Sequence, residues 1–175
     1  MKRIPLHNIE VYWKQVNTQS NEGEIFNTLK KLYDEQSLIM SYLTVADKES
    51  LDENERQMLY YLGSFVVHVM LSESASLAEV SIEEWERVRS SNLKMLQFLA
   101  SEDKAENFVR SMNDVIEASN QSELFRFVAD RLMHDPHCQS SVREENVWRV
   151  FAHLKIVIDA LDKAVLKNLD NRVIL

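Results

Sequence analysis

The side chains best suited to chemistry are concentrated in one short run, Met133-His134-Asp135-Pro136-His137-Cys138. His134 and His137 stand three residues apart and the Cys138 thiol follows at once, which brings together the nitrogen and sulfur donors that zinc and copper take. A proline turn could aim them inward. A structural zinc wants four ligands, and no second Cys/His pair stands at finger-like spacing, so His7, His68 and His153 would have to arrive through the fold. The competing expectation is a solvated loop whose histidines cap the carbonyls of the preceding helix. His134, His137 and Cys138 are the candidate metal ligands; no cofactor is expected.

Five residues separate Arg131 from His137. This spacing resembles the Arg-to-His motif of the all-helical HEPN ribonucleases, and the resemblance implies metal-free RNA cleavage with Arg131 and His137 acting on the scissile phosphate and the 2′-hydroxyl. It covers two residues: Leu132 stands where that family usually has a polar residue, and Pro136 lies inside the motif. A di-iron carboxylate centre would need a glutamate three residues before a ligating histidine, but Ile4, Phe65, Arg131, His134 and Val150 occupy those positions. Two glycines, Gly23 and Gly63, cannot build a phosphate-cradling loop, and nucleophile elbows, the metalloprotease His-Glu pattern and paired cysteines are absent. Adjacent acids such as Glu83 and Glu84, or Glu144 and Glu145, point about 100° apart on a helix and read as first-turn acids favoured by its dipole.

The elements that must position these groups are helices. In 175 residues there are two glycines and two prolines, Pro5 and Pro136, so few sharp breaks are available. The chain fits one domain, 1–175, long enough to bury roughly 70% of the surface its unfolded form exposes. Its organising stretch is Met58 to Leu71, fourteen residues with no charged side chain apart from any proton on His68. That is too short for the roughly 20 residues of a membrane span and apolar on every face, as a helix buried by its neighbours is. The fold class expected is an all-α, single-domain bundle of six or seven helices around this central helix, about 53–72.

In chain order, Leu6, Ile9, Trp13 and Val16 predict a first helix from Pro5 to about Asn17. Asn21 with Glu24 opens a long helix to about Thr44, its apolar line interrupted by Gln36. Asp52 with Glu55 caps the central helix, where Gly63 is expected to mark a close crossing by a neighbouring backbone and His68 to be a neutral core histidine bonded to a carbonyl or hydroxyl. Ser81 with Glu84 caps the next, with Val80 stapled on Trp85 and Ile82, Val88, Leu93, Leu96 and Leu99 on its buried face. Asp103 with Glu106 and Asn120 with Glu123 open two shorter helices, and a loop from about His134 to Ser140 follows. A long C-terminal helix, about 141–169, starts at Ser141 with Glu144, buries one face and carries the pairs Glu145–Arg149 and Asp159–Lys163 on its wet side. It is expected to pack lengthwise on the central helix.

Charge and composition then narrow the function. The net charge of −8 is uneven: residues 1–87 carry 8 basic against 15 acidic side chains, the remainder 12 against 13. That field and the lack of a Lys/Arg cluster disfavour nucleic acid. A lone cysteine and an N-terminus without a signal-peptide apolar core point to a cytoplasmic protein. By elimination the expectation is a non-enzymatic adaptor, regulatory or immunity-like protein. It would bind another protein, a basic one suiting its charge, through an acidic surface at Glu83, Glu84 and Glu86. A homodimer is the other route, sealed by the apolar tail Val173-Ile174-Leu175. Trp148, one step off the apolar face of the last helix, is a further interface candidate.

Overall fold

A computed structural model of the chain describes residues 1–18, 22–74, 77–100 and 105–170, with side chains for all of these except 94–100, 105–109, 112 and 165–170. Among the described residues there are nine α-helices and no strand: α1 (Leu6–Thr18), α2 (Glu22–Glu35), α3 (Ser37–Val45), α4 (Glu53–Glu73), α5 (Ile82–Ala100), α6 (Ala105–Ala118), α7 (Ser122–His134), α8 (Pro136–Ser141) and α9 (Val147–Asp170), the last preceded by a 3-10 turn at Glu144–Asn146. The all-α bundle with a long C-terminal helix is what apolar periodicity demands of a chain so poor in glycine and proline. The tail Val173–Leu175 and the cap at Asp103 fall outside the described residues.

α4 is the best specified element. The Asp52 side chain accepts the Glu55 amide while the Glu55 carboxylate accepts the Asp52 amide, the reciprocal pair that ends a helix without orphan donors. From Met58 to Leu71 nearly every side chain is buried, and α9 packs along it. Yet α9 is more enclosed than one buried face implies. Ile156 and Ala160 are as inaccessible as Leu154 and Leu161, because α4, α5 and α7 all lie against it. The centre of the bundle is therefore an α4–α9 pair.

Two breaks account for helices beyond the expected six or seven. The helix expected over 24–44 divides at Gln36, whose backbone leaves the helical region (φ −142°, ψ 55°). Gln36 is fully buried, donates to the Ala78 carbonyl and accepts the Val80 amide, which completes the backbone of the extended segment leading into α5. The loop expected at 134–140 is instead α8: Pro136 takes the first helical position, where its missing N–H costs nothing, and the Asp135 side chain accepts the His137 amide. The last helix starts later than Ser141 because Arg143 and Asn146 are committed to Glu55 rather than to a helical turn.

Several local expectations are corrected. Gly63 is met by a side chain, not a backbone: a Cβ there would sit 2.5 Å from Leu43 Cδ2 of α3. Ile82 and Leu93 are 71% and 42% exposed, so α5 is buried through Glu84, Trp85, Val88 and Asn92. Asn120 does not cap α7; its amide donates to the Met1 carbonyl and to Asp162, and Gln121 binds the Ile4 amide, the Lys2 carbonyl and Asp162. The expected pairs on α9 are replaced by Lys155 with Asp159 at 2.6 Å, Arg149 with Asp47 at 3.5 Å and Glu145 with Arg143 at 3.8 Å. Ser81 and Val80 behave as expected, the former accepting the Glu84 amide and the latter buried beside Trp85.

Candidate functional site

Arg131, His134, His137, Cys138 and Trp148 all belong to the corner where α7, α8 and the start of α9 meet. The fold then turns them in different directions. Cys138 is 1% exposed and faces the core, its Sγ 3.5 Å from Met58 Sδ, and burial pushes its thiol up to about 11. A thiol held protonated is a poor nucleophile and a poor ligand. His134 stands on the exposed side of α7, Nδ1 2.9 Å from Asp130 Oδ1. His137 is exposed on α8 and lines a hollow with Asn54, Gln57, Tyr61 and Ser141. Among the described residues no group of three or more His, Cys, Asp or Glu side chains is placed to hold a metal ion.

Arg131 is turned away from that hollow. Its guanidinium lies 5.5 Å from the Trp13 ring and 5.0 Å from the Phe127 ring, and reaches Asp135 Oδ2 at 3.7 Å. It thereby caps the aromatic cluster in which Trp13 packs edge-on against Phe65 at 4.9 Å and Phe127 at 5.6 Å. These contacts occupy the cation that the HEPN-like spacing would assign to phosphate. The acidic trio is divided as well. Glu84 is buried at 2% exposure and paired with Arg87, whereas Glu83 and Glu86 face solvent, the latter 3.6 Å from Arg89. Helical spacing explains the split, since 84, 85 and 88 share the inner face.

Trp148 is the candidate that the corner presents outward. It is half-buried, with the Arg149 guanidinium 4.5 Å from its ring, on one side of an open groove of about 540 Å³. Leu132, Val142 and Val147 form the floor, and Met133, 37% exposed, faces Trp148 across it. Gln139 holds one wall by donating to the Met133 carbonyl at 2.7 Å. The helix junctions thus fix the backbone on both sides while leaving an indole and a thioether accessible, the residue types that dominate protein interfaces.

Sequence reasoning missed two polar clusters. Glu55, fully buried, accepts bonds from the Arg143 amide (3.1 Å) and guanidinium (2.8 Å) and from Asn146 Nδ2 (2.9 Å); the Arg143 bonds, assisted by Asn146 and the Asp52 amide, draw its carboxyl down to about 2. Tyr42 hydrogen-bonds His153 Nδ1, and His153 Nε2 and Arg149 approach the Asp47 carboxylate at 3.6 and 3.5 Å. Asp47 is the one non-glycine residue with a left-handed backbone, φ 47°, among the described residues. Burial raises the Tyr42 phenol and lowers His153, which favours the neutral form of both, and the contacts tie the α3–α4 turn to α9. No local pattern signals either cluster, because partners lie 88 to 111 residues apart.

Compared with known proteins, the chain matches no family, no curated protein and no solved structure.

Proposed function

We propose that the protein is a non-enzymatic helical interaction module of adaptor, regulatory or immunity-like type, and that it binds another protein at the Trp148 groove. The observation that carries this reading is the pairing of a half-buried Trp148 with an exposed Met133 across an apolar floor, with Arg149 stacked on the indole. Trp, Met and Arg are enriched where interfaces concentrate their energy, and a preformed groove spares the ordering cost of binding. The acidic face takes a secondary part. Glu83 and Glu86 remain available to steer a basic partner, while Glu84 is withdrawn into the fold.

The test is Trp148→Ala, compared with Glu83→Lys/Glu86→Lys. Affinity capture should yield a partner protein that Trp148→Ala loses at least tenfold and the charge reversals weaken by slower association, with unchanged helical circular dichroism in both. If the partner is a second copy, sedimentation should give a dimer for wild type and a monomer for Trp148→Ala. A monomeric wild type that captures nothing, or a partner that Trp148→Ala retains, rejects the groove.

A further inference from the structure

A second concavity lies between α1, α2 and α4 and differs from the groove in chemistry. Its volume is about 340 Å³. α4 supplies its floor with Tyr61, Ser64, Phe65 and His68, positions i, i+3, i+4 and i+7 that share one helix face. Val16 of α1 and Leu29 and Leu32 of α2 close its sides. We infer that this cleft is a binding site for a small, uncharged, mostly apolar molecule that carries one hydrogen-bonding group.

Three observations fix those properties. Among the described residues no Asp, Glu, Lys or Arg lines the cleft, so an ion entering it would lose its hydration without gaining a counter-charge. Lys31, whose charge reaches His68, is 65% exposed, paired with Glu35 and outside the lining. Second, polar capacity in the cleft is unused. Against the expectation of a satisfied core histidine, the half-buried His68 ring has no hydrogen-bond partner among the described residues and only meets Tyr12 edge-on at 5.7 Å. Burial lowers its pKa and keeps it neutral at pH 7, able to accept or donate one bond. One turn earlier, the Ser64 hydroxyl is buried at 8% residue exposure, and its interaction is with the Tyr60 phenol on the same wall of the cleft. Third, the volume falls within the range of about 300–1,000 Å³ that small-molecule pockets occupy. At the rim Ile25 is 41% exposed, an apolar margin at the opening.

The test uses three probes of one shape: 2-naphthol, its hydrocarbon analogue 2-methylnaphthalene and the anion 2-naphthoate, titrated at pH 7.5 by calorimetry and amide chemical shifts. Naphthol should bind with shifts centred on Tyr61, Ser64 and His68, and at least tenfold more tightly than naphthoate. His68→Phe should weaken naphthol about 3- to 10-fold, the worth of one neutral hydrogen bond, and leave methylnaphthalene unchanged. Leu29→Trp, which fills the cleft, should abolish binding of both, and Ile25→Trp at the exposed rim serves if Leu29→Trp does not fold. The inference fails if naphthoate binds as well as naphthol, if His68→Phe changes neither probe, if the filled cleft still binds, or if no probe binds at millimolar concentration.

Discussion

The first turn and the middle of α4 treat buried polarity in opposite ways. At the first turn Glu55 is fully buried and its carboxylate accepts bonds from Asp52, Arg143 and Asn146. Two and a half turns later Ser64 is almost as inaccessible and its hydroxyl interacts with the Tyr60 phenol, while His68, one turn further on, has no hydrogen-bond partner among the described residues. The difference follows from charge. An unpaired buried carboxylate costs several kcal/mol and the fold could not survive it, whereas a neutral polar group left without a full set of bonds costs about 1–3 kcal/mol, an amount a bundle of this size can carry. At Glu55 the polarity is spent on architecture; at His68 it is left over.

The strongest way to break this contrast is to unpair the satisfied end. Glu55→Ala leaves Asn146 and the 143–146 backbone without an acceptor and should cost about 3–5 kcal/mol, read as a fall in the urea midpoint. Acid should expose the same group. The folded carboxyl near 2 lies below its ordinary 4.5, so its contribution is complete above about 4.5 and disappears as pH falls from there through 2. His68 and His153, both lowered by burial, lose stability in a separate window that opens as pH drops below 6.5, because the unfolded chain takes up their protons first. Glu55→Gln should remove the lower window and keep the upper one; two windows in both proteins would assign the acid limb to another carboxylate.

Beside Ser64 stands Gly63, where space is decided by Leu43. Gly63→Leu should cost about 3 kcal/mol by overpacking, and Leu43→Ala, itself costly, should be partly compensated when the two are combined. Additive losses would show that the contact does not limit this position. The smallest effect sharpens the contrast most: Ser64→Ala removes a hydroxyl that interacts only with the Tyr60 phenol and should change stability by no more than about 0.5 kcal/mol, or raise it, in the same urea titration. A loss above about 1 kcal/mol would mean that the Tyr60 contact is a structural bond and that this wall of the cleft is architecture like the Glu55 turn.

Helices, caps and the apolar core stretch were legible because they are written at short range. Asp52 with Glu55 and Ser81 with Glu84 act within one turn, and the α9 periodicity survives intact. The breaks at Gln36 and at Pro136 were misjudged for a related reason: what Gln36 binds lies 42 and 44 residues away, and Pro136 both ends α7 and begins α8. Trp148 could be singled out from its position on the helix, and its groove could not, since Leu132 and Met133 arrive from α7. The cleft was invisible in sequence because its walls come from three helices: Ser64 and His68 look like any polar residues in an apolar run until Val16 and Leu29 are set beside them.

The Glu55 cluster has a consequence for how α9 finds its place. Between Val150 and Leu161 α9 is apolar apart from His153, Lys155 and Asp159, and a slide of one turn, about 5.4 Å, along α4 would bury much of the same hydrocarbon. Arg143 and Asn146 forbid it. Only one alignment carries both to the single carboxylate on α4, across 88 to 91 residues of chain, and every other alignment drives a naked charge under the approaching helix. The carboxylate works as an indexing pin that tells a smooth surface where to stop.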